Sequence, residues 1–276
     1  MPIRRSDKDD GLLQRLTEWY LLTAEETAEL LSRNIVAVRA AYQRLGMGKR
    51  KMGDRHQDGL RYVYSMDDPS DKWGSKIHYP AQKAFDLALD EGWLSHRVQV
   101  EERTPKNIPH DRIITRFHLA LWRHFGDERL RWSQHYYNLH DRWGQQDEEH
   151  IYADALFYLE RAAPSPDYPT FFVEVENTKQ AKYDARGLSA RIRKAEAYMT
   201  YYERGLFQEK FHAPDFRVIY IVGTARKAEH LAETLRKTPG IDPMKFWITD
   251  FAGAYSSPEA KVYLTPRNKR YALVDA

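Results

Sequence analysis

The chain has 276 residues, 42% hydrophobic and 30% charged, with no cysteine and a formal net charge of +3. That length fits one large domain, or a small domain followed by a medium one, and the absence of cysteine removes disulfides and thiolate metal sites, leaving oxygen or imidazole as metal ligands. No apolar run approaches a membrane span and Met1 to Asp10 is too polar for a secretory leader, so a membrane partner is not expected and a cytoplasmic location is.

A small positive charge permits nucleic-acid binding without requiring it, so local clustering decides. Residues 11 to 46 read as three short helices. Leu12, Leu13, Leu16 and Trp19 stripe the first, and Thr23 with Glu26 makes a capping-box start for the second, which runs to Leu31. The third begins after Asn34 and carries Ile35, Val38, Tyr42 and Leu45 at helical spacing, leaving Arg39, Gln43 and Arg44 outside. This is the layout of a helix-turn-helix that presents polar residues to a DNA groove.

From Gly46 to Tyr64 the pattern changes to a glycine-punctuated segment bearing Lys49, Arg50, Lys51, Arg55 and Arg61, then the alternating Leu60, Tyr62 and Tyr64. A β-hairpin wing fits it. A basic run is usually a solvated surface, but beside a helix-turn-helix it reads as contact with double-stranded DNA. Residues 80 to 93 form another amphipathic helix, and Glu101 to Ile108, with Pro105 and Pro109, is the expected linker. The expected domains are therefore 1–103, a winged helix-turn-helix, and 104–276.

The second unit opens with a helix over Asp111 to His124, then a strand over Leu130 to Tyr137 and a polar loop over Asn138 to Glu149. Strands follow near Ala155 to Leu159 and Phe171 to Glu176. A long helix after Lys182 runs to about Gly205, its expected buried stripe being Leu188, Ile192, Ala195, Met199 and Tyr202, with Lys182, Arg186 and Arg193 on another side. FRVIYIV at Phe216 to Val222 has the near-continuous apolar character of a central strand. Ala225 to Lys237 is helical, and Lys245 to Thr249 and Val262 to Thr265 are strands. Strands alternating with helices predict an α/β domain with a mixed central sheet.

The functional signal lies between Ile151 and Lys182. Side chains alternate along a strand, so Glu174 and Glu176 share a face, roughly 6.5–7 Å apart along the backbone. Asp154, before the apolar run Ala155 to Leu159, supplies a third carboxylate from a neighbouring strand. Alternating glutamates also describe a solvated outer face. Aromatic and β-branched flanks, the earlier Asp154 and the basic helix that follows argue for a site instead. Three carboxylates suit Mg2+ or Mn2+, hard cations that prefer oxygen ligands. Such an ion polarises a phosphodiester and lowers the pKa of a bound water. Like charges held together also predict a raised pKa on at least one acid. Lys179 could hold the attacked phosphate, and Lys182 and Arg186 could steady the strand.

This arrangement, an Asp, a gap of about twenty residues, Glu-x-Glu ending an apolar strand and then a basic helix, resembles the PD-(D/E)xK restriction-endonuclease-like superfamily. More narrowly, a winged helix followed by HDR at His110 to Arg112, ADALF at Ala153 to Phe157 and FFVEVENTK at Phe171 to Lys179 resembles the replication-relaxation family, related to plasmid mobilisation relaxases. The resemblance implies a restriction-endonuclease-like second domain, metal-binding roles for Asp154, Glu174 and Glu176, and mobilisation accessory or coupling proteins and a homodimer as possible partners. Ala153 stands where the superfamily usually has proline. Glu176 stands where it often has lysine, which leaves the activating cation to a second metal ion or to Lys179.

Other signals are weaker. Six histidines fall between His110 and His150, but no His-x-His occurs, so a histidine-metal relaxase is not supported. Tyr198 and Tyr202 are spaced as a nucleophile pair on one helix, although core packing explains Tyr202 better. His110 precedes a helix and either caps it or meets phosphate. The sequence thus predicts a metal-dependent DNA-nicking endonuclease of a plasmid or mobile element, with Asp154, Glu174, Glu176 and Lys179 catalytic. Its rivals are a non-catalytic winged-helix regulator with a degenerate nuclease fold, and a nuclease that cuts both strands.

Overall fold

The structure, a computed structural model, describes residues 6–19, 21–46, 49–52, 55–58, 62–67, 76–94, 108–134, 140–144, 150–160, 170–176 and 185–275. The chain is mixed α+β and divides into two compact units, Met1–Thr115 and Arg116–Ala276. The boundary expected at 103/104 lies outside the described residues, and the division falls inside a helix. Among the described residues no helix is long and apolar enough to cross a membrane.

In the first unit, Ser6 starts helix α1 (Asp7–Trp19), its N–H and hydroxyl donating to Asp9 Oδ2 at 2.8 and 2.9 Å. Leu12, Leu13, Leu16 and Trp19 are buried, as their spacing predicts. Strand β1 (Leu22–Thr23) leads into α2 (Ala24–Leu30). There the Thr23 hydroxyl accepts from the Glu26 amide and the Glu26 carboxylate accepts from the Thr23 amide, the capping box read from the sequence. Helix α3 (Ile35–Leu45) is capped by Asn34 and buries Val38, Tyr42 and Leu45.

After α3 come β2 (Lys49–Met52) and β3 (Arg55–Asp58), an antiparallel hairpin that forms its own two-stranded sheet. Strands β4 (Val63–Asp67) and β5 (Lys76–Pro80) pair next, and β1 joins the far edge of β5, giving the order β1-β5-β4. The single wing expected over Gly46 to Tyr64 is therefore two features. KRKM and RHQD lack the apolar alternation that docks a strand on a core, whereas Val63, Ile77 and Tyr79 are buried and fix the later pair in the main sheet. Helix α4 (Gln82–Asp90) buries Ala84, Phe85 and Ala88.

Two polar constructions hold this unit. Thr27 Oγ1 lies 2.6 Å from Tyr42 OH, the Tyr42 ring stacks on His78 at 3.7 Å, and His78 Nδ1 lies 2.7 Å from Ser65 Oγ, joining α2, α3, β4 and β5. Arg112, near the start of α5 (Ile108–Arg129), is 2% exposed. It donates two hydrogen bonds to the Glu26 carboxylate and one to the Leu21 carbonyl. Removing one partner from a buried pair of this kind costs about 3–5 kcal/mol. The arginine of the HDR motif is thus the clamp on the capping box of α2.

In the second unit α5 kinks at Gly126, whose φ of 67° suits glycine. Strand β6 (Leu130–Gln134) follows, and then a hairpin of β7 (His140–Arg142) and β8 (His150–Tyr152). The expected loop over Asn138 to Glu149 therefore contains a strand. Its residues are polar, so no apolar pattern announced it; Asp141 of β7 instead accepts a 2.6 Å hydrogen bond from Tyr201 OH.

Strands β9 (Ala155–Leu159) and β10 (Thr170–Val175) are antiparallel. Helices α6 (Ala185–Glu203) and α7 (Leu206–Phe211) lead to β11 (Phe216–Val222), parallel to β10. Helix α8 (Ala225–Lys237) leads to β12 (Phe246–Asp250), parallel to β11. After the short α9 (Phe251–Ala254), β13 (Tyr263–Leu264) and β14 (Arg270–Tyr271) add antiparallel edges. The sheet order is β14-β13-β12-β11-β10-β9-β6, the mixed sheet the sequence predicts. One face packs Leu156, Phe172, Val218 and Ile248 against α6, α7 and α8. The other carries an aromatic ladder of Trp132, Phe157, Phe171, Trp247 and Tyr271, with successive rings 4.8–6.0 Å apart.

Burial, with a smaller contribution from Lys76, depresses the His78 pKa to about 4. The unfolded chain, with an ordinary histidine value near 6.5, then binds more protons than the native state between those limits, so stability is lost as pH falls from 6.5 towards 4. An NMR titration of the intact protein will show the His78 ring neutral until pH drops below 5. A midpoint near 6.5 contradicts this account of the first unit's core.

Candidate functional site

The three carboxylates are positioned by the edges of two strands. Asp154 sits at the bend between β8 and β9, where its N–H donates to the Val173 carbonyl at 3.0 Å and its Oδ2 accepts from the Val175 amide at 2.7 Å. These bonds fix Asp154 beside β10. Glu174, in β10, is 3% exposed and pairs in register with Tyr220 of β11. Glu176 follows the strand's last residue, and its amide donates to the Ile221 carbonyl at 2.9 Å.

Both glutamates face α6, as alternation requires. Tyr198 OH donates to Glu174 Oε1 at 2.6 Å, and Lys194 Nζ is hydrogen-bonded to Glu174 Oε2. Arg191 Nε is hydrogen-bonded to Glu176 Oε1. Residues 191, 194 and 198 form one helical stripe, so two acids two apart on a strand meet three polar side chains on a helix. Sequence reasoning missed Arg191 and Lys194, and weighed Tyr198 only as half of a nucleophile pair. Of the expected stripe, Ala195 and Met199 are buried, Tyr202 packs partly buried against the core and Ile192 is partly buried, while the Leu188 side chain lies outside the described residues; Tyr198 and Tyr201 are buried as well, and Arg193 is exposed. Apolar spacing alone ignores buried acids that draw an arginine, a lysine and a tyrosine onto the sheet.

The electrostatics are dominated by desolvation. Burial raises the Glu174 pKa to about 7; Lys194 and Tyr198 oppose this, and the charge of Asp154 adds to it. Burial opposes charge on Lys194, but Glu174 and Asp154 outweigh it and raise its pKa. Tyr198 and Tyr220 are raised well above the ordinary phenol value by burial and by Glu174. The Lys194 side chain is partly exposed, whereas that of Glu174 is buried. Glu176 Oε2 and Tyr220 OH are buried with no hydrogen-bond partner, leaving unmet polar capacity in the same region.

Asp154 and Glu174 are thus both coupled to Lys194, while Glu176 pairs with Arg191. Among the described residues no group of three His, Cys, Asp or Glu side chains is disposed to hold a metal ion. A cation shared by these acids has to displace Lys194 or Arg191 from its ion pair. Tyr198, one half of the tyrosine pair seen in the sequence, is a hydrogen-bond donor sealed in the core. Tyr202 lies under Lys245 Nζ, 3.5 Å from its ring centroid. His110, partly exposed, is 3.3 Å from the Asp111 carboxylate.

The candidate DNA contacts divide. Arg39 is exposed on α3 and pairs with Glu25 at 2.6 Å, and Gln43 is exposed beside it. Arg44, partly exposed, pairs with the fully buried Asp9 and so ties α3 to α1. Lys49, Arg50, Lys51 and Arg55 lie on the β2–β3 hairpin and Arg186 on the first turns of α6, with only their backbones described. Arg61, Lys179 and Lys182 lie outside the described residues.

The Glu174 carboxyl carbon, followed by 13C NMR, will titrate with a midpoint near 7. Asp154 helps raise that value, so Asp154→Asn will move the midpoint down. A wild-type midpoint between 4 and 5, or no change in the variant, contradicts the electrostatic account.

Comparison with known protein families, with curated proteins and with solved structures finds no match to this chain.

Proposed function

We propose that the chain is a DNA-binding protein whose second unit hydrolyses a phosphodiester with Mg2+ or Mn2+, nicking one strand of an origin-like site. In this reading the first unit is a winged helix-turn-helix. Its support is the order α1-β1-α2-α3-β2-β3-β4-β5, with β1 added to the β4–β5 pair and the β2–β3 hairpin between α3 and β4, and the outer side of α3, where Val36 is 70% exposed and Arg39 and Gln43 are exposed. The second unit is a restriction-endonuclease-like domain built around β9 and β10.

The observation that carries the reading is Lys194. The strand has Glu176 where that fold often carries lysine, and α6 supplies an ammonium against Glu174 and within electrostatic reach of Asp154. A carboxylate pair with a partly exposed lysine is suited to a phosphodiester: the acids ligate the cation and the ammonium offsets charge on the phosphate. The donor set fits a hard cation in its chemistry, and the buried, unpartnered Oε2 of Glu176 adds oxygen capacity. When bound, such an ion polarises the phosphodiester and acidifies a water. Asp154 and Glu174 would hold it, with Glu174 deprotonated above a pH of about 7.

The ion pairs favour a second reading, in which Lys194 and Arg191 permanently satisfy the acids and the protein is a non-catalytic regulator. Supercoiled plasmid carrying the element's own origin separates the two. The proposed enzyme converts it to open circles with Mg2+ or Mn2+, and replacing Lys194 by Met slows this by about 10²-fold, the typical cost of one preorganised electrostatic donor. Intact plasmid, together with no heat of Mn2+ binding by calorimetry, supports the regulator. Linear product supports a nuclease that cuts both strands.

A further inference from the structure

We propose that Val36 reads thymine through its 5-methyl group, so that the first unit selects duplex sites with thymine at a fixed place in the major groove. This deepens the DNA-binding reading and rests on it.

Helix α3 has two opposed stripes of the same spacing. Val38, Ala41, Tyr42 and Leu45 are buried, whereas Val36, Arg39, Ala40 and Gln43 are exposed. Among the described residues Val36, at 70%, is the most exposed large hydrophobic side chain. One such valine on a surface needs no explanation by itself, but its position does. It is the second residue of α3 after the Asn34 cap, the position that Glu25 occupies in α2 after Thr23. Helices α1 and α2 carry acids in their first turns and α3 carries none. A carboxylate there is favoured by the helix dipole, and valine is a poorer helix former, so α3 forgoes local stability at this site. It thereby keeps negative charge off the end of the helix that a helix-turn-helix points at base edges.

The chemistry of this surface selects the ligand. Arg39 is paired with Glu25 at 2.6 Å, which leaves Val36, Ala37 and Ala40 as the exposed apolar surface of α3. Thymine is the base that shows a methyl group in the major groove, and small apolar side chains contact it there. A single valine among alanines is too small for a protein interface, which takes about 800 Å2 from each partner. The hairpin that follows α3 in the chain, KRKM and RHQD, has four lysines and arginines against one aspartate, the sign of charge that phosphates attract.

The test uses the intact protein in EDTA, so that no cleavage intervenes. Duplexes that wild type retains from a random pool are remade with deoxyuridine in place of thymine, one position at a time. Fluorescence anisotropy then compares wild type, Val36→Ser and Val36→Ile. For wild type and Val36→Ile, loss of one 5-methyl group weakens binding by about fourfold, the worth of one buried carbon. Val36→Ser binds the thymine and uracil duplexes equally, and binds the uracil duplex as wild type does, which also reports that the variant folds. A uracil penalty as large in Val36→Ser as in wild type overturns the inference. So does a uracil duplex that the serine variant no longer binds, or a wild type that binds duplex but is indifferent to every thymine replaced. A wild type that retains no duplex overturns the DNA-binding reading and this inference with it, and leaves the outer side of α3 to a protein partner.

Discussion

A buried glutamate organises the second unit. Glu174 lies in the middle of the sheet with its strand neighbours buried on both faces, where an isolated carboxylate would be strongly disfavoured. The structure meets that cost with a phenol and an ammonium from α6, and the requirement fixes how the helix is rotated on the sheet. Once Lys194 and Tyr198 face Glu174, Arg191 lies one turn earlier, opposite Glu176. The hydrophobic face of α6 follows from this polar register. The result is a half-neutral acid near neutral pH, next to a partly exposed lysine, which is an arrangement that pure packing does not need.

The first unit solves a similar problem with a different result. Arg112 bonds Glu26 and the Leu21 carbonyl, and Thr27, Tyr42, His78 and Ser65 form a chain through the core. These bonds set the angle between α2, α3 and the sheet, and leave the outer side of α3 with small apolar residues, Arg39 and Gln43. The first unit thus uses buried polarity to hold a surface in shape, while in the second the buried Glu176 Oε2 and Tyr220 OH lie beside the carboxylates without a hydrogen-bond partner.

Much of this was legible in the sequence wherever local chemistry decides. The capping box at Thr23 and Glu26, the apolar stripes of α1 and α3, and the strand FRVIYIV follow from short-range patterns that the fold keeps. Alternation correctly placed Glu174 and Glu176 on one face of β10. What the pattern missed depends on contacts distant in sequence. The register of α6 is set by acids about twenty residues away, and no helical periodicity encodes them. β7 is polar and exists through its pairing with β8. Arg44, grouped by sequence with outward-facing cations, answers a buried Asp9 at the other end of the unit. Charge on a helix face therefore placed Arg39 and Gln43 outside but did not reveal the partner of Arg44, a buried acid distant in sequence.

The central claim is that the carboxylates of Asp154 and Glu174 form a cation site kept closed by Lys194. Anomalous diffraction from crystals grown above pH 7 and soaked in Mn2+ tests it most directly. The account predicts a peak bridging those two side chains, with the Lys194 ammonium turned away from Glu174. Crystals that show no peak there, with the lysine and Tyr198 still on the glutamate, would contradict it and leave a purely structural ion pair.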